Sequence, residues 1–335
     1  MATNYIGIKM GSTITCIYKS GNGIVLKEPS LIAMPTNTKN KEVKAIGTDA
    51  KKLIGRVSNN ITIFSPIANG VVQYEELAVL MLKGFLKKIF PIKSLGQNIK
   101  AVLTVPLGLS PAEKKQFEIV CFKAGIADVY IVPDVIAFTL GSGIDIKSET
   151  SRLIVNIGGD TTNIAVISNH SVIHGYGLTI GGNIISVAIA KYIEDAHGFE
   201  IGVPAAEQIK NEICSLFENF TASKEIVGIN KKTMLKDKLV VSATELYPIV
   251  KNYYEKIAEA VCSVLQSCDP QIVSDIAKNG ICYYGGSTYI IGFEKFMFER
   301  TKFKTKVYEI QKLNVMGTGE LINNPQLLKR IIKNN

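Results

Sequence analysis

The chain contains no tryptophan, only three histidines, and six cysteines that never form a C-x-x-C pair. Cys16, Cys121, Cys214, Cys262, Cys268 and Cys282 have no metal-ligand spacing, which excludes a cysteine-held metal and points to buried thiols in a reducing compartment. No run of about eighteen uncharged apolar residues occurs. Met1-Ala2-Thr3-Asn4-Tyr5 is not a basic stretch leading into an apolar one. The expectation is a cytoplasmic protein, neither secreted nor membrane-spanning. There is no G-x-x-x-x-G-K-[ST], which disfavours a P-loop enzyme, and no G-x-G-x-x-G after the first strand, which lowers a Rossmann dehydrogenase. Acidic residues are the minority, 29 against 38 basic ones, and the net charge of +9 suits an acidic partner such as nucleic acid, anionic lipid or a phosphorylated ligand. The lysine-rich stretch Ala222 to Lys238 carries no interleaved aromatics, so it reads as an exposed loop or hairpin and nucleic acid is not expected.

What is present describes a folded α/β chain. The 335 residues are 47% hydrophobic, ample for a core. Short β-branched runs (Ile6-Gly7-Ile8, Val102 to Val105, Leu153 to Val155, Ile164 to Ile167) alternate with amphipathic stretches. Ser110-Pro111-Ala112-Glu113 has the form of a capping box with proline at the first helical position, followed by a stripe of Phe117, Val120, Cys121 and Ala124 and a stop at Gly125. Ser242 to Glu245 predicts a second box, opening a helix whose apolar face runs through Ile249, Tyr253, Ile257, Val261 and Val264. His170 and His174 fall in a strand-turn-strand, where a spacing of four makes no helical metal pair, and no metal is expected from them.

Gly7 to Thr15 and Val155 to Thr162 share one plan: an apolar strand, one polar residue, a glycine turn, hydroxyls and a second strand. Glycine permits the close backbone approach by which such tips aim N–H groups at phosphate. Either tip alone is an ordinary hairpin; two, half a chain apart, indicate duplication. A third cluster, Gly280 to Ser287, has a strand-then-glycine form suited to lying against a base or ribose.

The order and spacing of these motifs resemble the actin, sugar-kinase and heat-shock-chaperone superfamily, and the intervening text is similar to the MreB family of bacterial actins. Gly23 to Ser30, Ala45-Ile46-Gly47, Lys51 to Arg56, Pro66 to Val72, Gly141 to Ile146, Ile180-Gly181-Gly182 and Met316 to Gly319 fall in that family's order, so the likeness spans roughly Tyr5 to Leu321. It implies an actin-like α/β fold, two related halves with smaller inserted subdomains around a central nucleotide cleft. The expected halves are 1–140, with an insert at about 30–70, and 141–320, with an insert at about 183–250; 321–335 forms a basic tail. By the same resemblance Gly11, Ser12 and Thr13 and then Gly158, Gly159, Asp160 and Thr161 bind the phosphates of ATP or ADP. Glu207 and Lys210 meet the ribose and base, and Gly285, Gly286 and Ser287 lie beside the adenosine. The partners it implies are a second copy, head to tail in a filament, paralogous bacterial actins, and an anionic membrane.

The departures from the family pattern concern chemistry. Lys9 and Asn156 stand where the family has aspartates serving Mg²⁺, so the metal is in doubt and the site is degenerate. Asp134 stands for the water-polarising Glu, one methylene short, while Thr161 is retained. The expectation is slow or absent ATP hydrolysis, with an inactive copolymerising scaffold as the alternative. A small-molecule kinase is disfavoured by the lost carboxylates, and a chaperone by the lack of a following peptide-binding domain. Phe90, Ile92 and Leu95, and Leu327, Leu328, Ile331 and Ile332 with their interspersed lysines and arginine, are the expected lipid contacts.

Overall fold

The computed structural model describes residues 3–36, 42–56, 60–90, 98–308 and 313–334. Its first elements are β1 (Thr3–Met10), β2 (Ile14–Lys19), β3 (Gly23–Pro29), β4 (Ile32–Pro35), β5 (Ala45–Ile46), α1 (Thr48–Lys52) and β6 (Ile61–Phe64). Then come β7 (Ile67–Ala68), β8 (Val71–Val72), α2 (Glu75–Ile89), β9 (Asn98–Val105), α3 (Pro111–Ala124), β10 (Asp128–Pro133) and α4 (Asp134–Gly141). The chain continues with β11 (Arg152–Ile157), β12 (Thr162–Ser168), β13 (Ser171–Leu178), α5 (Gly182–His197), β14 (Phe199–Glu200) and α6 (Val203–Ile213). A hairpin of β15 (Ser223–Asn230) and β16 (Leu235–Ser242) precedes α7 (Ala243–Gln266), α8 (Pro270–Asn279) and β17 (Ile281–Tyr284). Last are α9 (Phe293–Thr301), β18 (Thr305–Tyr308), α10 (Leu313–Asn323) and α11 (Pro325–Asn334).

Two five-stranded sheets carry the architecture, in the orders β10-β9-β1-β2-β3 and β13-β12-β11-β17-β18. Substituting β11, β12, β13, β17 and β18 for β1, β2, β3, β9 and β10 turns one order into the other, so the duplication read from two glycine turns extends to the sheets. In each sheet the leading strand pairs in parallel with a strand far along the chain, β1 with β9 and β11 with β17. Such pairs require a crossover, which here holds further strands and the smaller sheets as well as helices. The smaller sheets β5-β4-β6 and β14-β15-β16 fall between residues 32 and 64 and between residues 199 and 242, and the lysine-rich stretch is the β15–β16 hairpin.

The chain divides into two compact units: Met1–Glu149 with Ala165–Gly177 and Lys312–Asn335, and Thr150–Ile164 with Leu178–Gln311. This differs from a simple split into consecutive halves with a separate tail, because α10 packs on α4 and β1, and α11 on α10 and β10. Small residues permit the approach. A methyl added at Gly317 would sit 1.8 Å from the Ala137 carbonyl oxygen, and one at Gly141 would sit 1.9 Å from that of Leu313. The first unit's core gathers Ile6, Ile8, Leu82, Phe85, Leu103 and Phe117, all without exposure.

Both capping boxes form. Ser110 accepts from the Glu113 N–H while the Glu113 carboxylate takes the Ser110 N–H, and Gly125 closes α3 at φ 103°. Ser242 and Glu245 do the same for α7. The expected stripe of α7 is rotated in its first half: Leu246, Val250 and Tyr254 are buried there in place of Ile249 and Tyr253, before Ile257, Val261 and Val264 continue as expected. The Tyr254 hydroxyl donates to the Ser287 carbonyl at 2.5 Å, a partner that Tyr253 does not have.

Candidate functional site

In each unit the glycine turn sits at the carboxyl ends of parallel strands, where open α/β sheets gather their ligands. In the first unit Lys9, Thr104 and Val132 lie in register across β1, β9 and β10, and Asp134 follows two residues on, buried at the start of α4. In the second, Asn156, Tyr284 and Tyr308 lie in register across β11, β17 and β18. Lys9 and Asn156 each stand two residues before the turn glycine. Each turn closes on the same bond, Gly11 N–H to Ile14 O at 3.1 Å and Gly158 N–H to Thr161 O at 2.8 Å.

The first turn is tied down from outside. The Ser12 carbonyl accepts from the Ser65 hydroxyl at 3.1 Å, and the Thr13 carbonyl accepts from the Ser30 N–H at 3.0 Å. Thr13 is exposed, while Gly11 and Ser12 are half-buried.

Around the second turn, three glycine motifs far apart in the sequence converge. The Gly158 carbonyl accepts from the Gly182 N–H and the Ser287 hydroxyl, each at 3.0 Å, and the Gly159 carbonyl accepts from the Asn183 N–H at 2.7 Å. A methyl at Gly181 would lie 2.4 Å from the Gly159 carbonyl oxygen. One at Gly285, whose φ is 108°, would lie 2.3 Å from the Ile157 carbonyl oxygen and 2.7 Å from the Asn156 side-chain oxygen. The start of α5 is thereby docked on the turn, and a helix start is the favourable end for an anion. Asp160 does not crowd the turn: its carboxylate accepts from the Asn183 amide at 2.7 Å.

Lys210 and Ser287 join this cluster. The Lys210 ammonium donates to the Gly182 carbonyl at 2.6 Å and the Ser186 hydroxyl at 2.9 Å, and burial lowers its pKa, with Glu207 opposing. Glu207 lies half-buried on the same face of α6, and Gly286 begins the short 3₁₀ turn that carries Ser287. Tyr254, Asn183 and Ser186 were not foreseen. Each acts through a backbone atom or through another side chain, and no spacing in the sequence marks such a role.

The lipid expectation requires correction. Phe90 is buried with the Lys19 ammonium 4.8 Å from its ring centre, and Leu328 and Ile331 are buried against their own unit. Leu327 is half-buried and Ile332 exposed, while Ile92 and Leu95 lie outside the described residues.

His170 and His174 flank the start of β13, and among the described residues no cluster of three or more metal-ligating side chains occurs. His170 is packed in a turn at φ 68°. Burial pushes its pKa below 6.5, with the Arg330 guanidinium and Lys147 acting the same way against a backbone bond at Asn169 and the charge of Asp145. The folded chain therefore holds this proton less tightly than the unfolded chain, so stability rises with pH in this range and is lost as pH falls below about 6.5. Chemical unfolding at a series of pH values should show that loss, and His170→Asn, which tolerates the left-handed backbone, should flatten it. An unchanged slope would remove His170 as the cause.

Comparison with known proteins agrees with this construction. The family described as MreB/Mbl protein matches residues 3–330. Cell shape-determining protein MreB of Escherichia coli (strain K12) is 30% identical over 312 residues, covering 92% of this chain and 90% of the relative. Cell shape-determining protein Mbl of Bacillus subtilis (strain 168) is 29% identical, covering 97% of each. The crystal structure of MreB5 of Spiroplasma citri bound to ADP superposes with a TM-score of 0.89 at 28% identity, covering 100% of this chain and 99% of that one. The MamK double helical filament matches in fold, with a TM-score of 0.82 at 18% identity, over 96% of this chain and 99% of that one. The fold is actin-like, and the chain belongs to the MreB/Mbl family.

Proposed function

We propose that this chain binds ATP or ADP, polymerises head to tail with copies of itself into cytoskeletal filaments that govern cell shape, and hydrolyses ATP slowly. The convergence of Gly158-Gly159, Gly181-Gly182 and Gly285 on one turn carries the reading, because glycine lets these segments pack where a side chain would clash and turns the Gly158 and Gly159 carbonyls inward, the orientation that suits an anion at the turn. Relatives of similar length are cell shape-determining proteins, and MreB5 of Spiroplasma citri has been crystallised with ADP and with AMPPNP. The Lys210–Glu207 face and Ser287 supply the ribose and base side. The turn residues Gly158 to Thr161 supply the phosphate side, and Gly11, Ser12 and Thr13 offer the first unit's counterpart.

A nucleotide fits this set of groups better than its metal does. Lys9 and Asn156 bring no carboxylate to the strand ends, so Mg²⁺ has to be held chiefly by the phosphates. Asp134 is the first unit's candidate base, and Thr161 is the second unit's candidate for positioning water. The same loss of carboxylates favours a second reading, a nucleotide-holding scaffold that copolymerises with an active paralogue. The chain is expected in the cytoplasm, peripherally bound to anionic membrane through Leu327, Ile332 and the surrounding basic residues.

Purified protein with ATP and Mg²⁺ tests the proposal by high-speed pelleting and by nucleotide content. Filaments that pellet and retain about one nucleotide per subunit are expected. Absence of both nucleotide and filaments would end it.

A further inference from the structure

α7 carries none of the glycine motifs, yet one of its side chains reaches the third of them. Tyr254 is buried, its ring set edge-on against that of Phe293 with 6.0 Å between centres. The packed ring fixes the direction of its hydroxyl, which donates to the Ser287 carbonyl at 2.5 Å. Ser287 belongs to the short 3₁₀ turn, Gly286–Tyr289, that follows Gly285.

Ser287 passes the contact on. Its hydroxyl donates to the Gly158 carbonyl at 3.0 Å, beside the N–H of Gly182. The 3₁₀ turn is also braced at its own start, where the Thr288 N–H and hydroxyl both donate to the Gly285 carbonyl, at 3.1 and 2.8 Å. Tyr254, Ser287 and Gly158 thus form one line of hydrogen bonds from the interior of α7 to the second glycine turn, all within the second compact unit.

We infer that Tyr254 is a positioning residue of the nucleotide site: it fixes Ser287, and Ser287 holds the Gly158 carbonyl away from the phosphates. This rests on the nucleotide reading above and adds how the adenosine motif and the phosphate turn are kept in step. A carbonyl released from a donor is free to turn its oxygen toward the ligand, where it repels phosphate and leaves an uncharged nucleoside indifferent. Whatever Ser287 gives to the ribose side is common to ADP and adenosine. The ratio of the two affinities therefore isolates the turn.

Tyr254→Phe keeps the ring and removes the donor. ADP binding to the full-length protein is measured by equilibrium dialysis, and adenosine binding by its displacement of ADP. Tyr283→Phe is the control: Tyr283 is buried with its ring 5.2 Å from that of Phe293, and its hydroxyl has no hydrogen-bond partner among the described residues. That change takes a buried hydroxyl from the same aromatic group without touching Ser287. Tyr254→Phe should weaken ADP relative to adenosine by roughly fivefold, the size of one hydrogen bond. Ser287→Ala should lower the ratio likewise, the double variant should lower it no further because both cut one line, and Tyr283→Phe should leave it alone. An unchanged ratio in Tyr254→Phe or Ser287→Ala, or an equal fall in Tyr283→Phe, would reduce Tyr254 to ordinary packing while the nucleotide reading stands. A double variant that loses the product of the single effects would put Tyr254 on a separate path and overturn the inference. A natural chain that binds no ADP removes both readings.

Discussion

With Lys9→Asp, Asn156→Asp and Asp134→Glu combined, phosphate release from ATP and Mg²⁺ is expected to rise by on the order of a hundredfold over the natural chain. Two physical changes contribute. A carboxylate would replace a cation at the first unit's strand end and a neutral amide at the second's, and on the proposed reading each would attract a divalent ion that the natural residue does not. The longer acid at position 134 moves the proton acceptor by about one bond length, and misplacements near 1 Å weigh on this scale. Asn156 is buried, so an aspartate there stays protonated unless a cation faces it. The gain should therefore vanish when Mg²⁺ is chelated. Because a methylene added at the buried Asp134 strains its packing, the Lys9→Asp, Asn156→Asp pair is measured beside the triple. A natural chain that already releases phosphate as fast as the triple variant would withdraw the roles given to these three positions, leaving the fold untouched.

The second large effect concerns stability. Gly317→Ala should lower the urea midpoint of the first unit by the equivalent of roughly 3 kcal/mol. Propensity alone predicts the opposite, because alanine in a helix interior is favoured over glycine by about 1 kcal/mol. The reversal comes from the α4–α10 crossing, where the new methyl would meet the backbone oxygen of Ala137 at 1.8 Å. A carbonyl within a helix cannot swing aside as a side chain can, so the two helices must separate. Gly141→Ala meets Leu313 from the other side of the same crossing and should behave alike. A variant as stable as the natural chain would mean that the helices slide apart freely.

Local signals were the legible part of this fold. Ser110 with Glu113 and Ser242 with Glu245 define their helix starts because capping is a contest among four consecutive residues, all visible in the sequence. The two glycine turns were legible for the same reason, and their repetition led to the duplicated sheets. Long-range geometry was not legible. That α10 packs on α4 depends on Gly141 and Gly317 meeting across 176 residues, and neither glycine differs in sequence from one in a loop. The lipid assignment of Leu328 and Ile331 was correct about amphipathicity and wrong about cover: periodicity reports that a helix has an apolar side, and the packed neighbour decides what lies against it. Lys210, by resemblance a ribose and base contact, also holds the first turn of α5 through its ammonium. Its spacing from Glu207 shows which face it is on but not how far it reaches.

The bonds around the second turn also fix the sign of its polarity. Both lone pairs of the Gly158 oxygen, and one of the Gly159 oxygen, are engaged by donors from α5 and Ser287. The negative ends of those two peptide dipoles are thus directed into the protein, and the positive ends face the other way. A turn oriented in this sense favours anions through its backbone alone. It needs no lysine or arginine of its own, and it keeps that preference at any pH at which the chain remains folded.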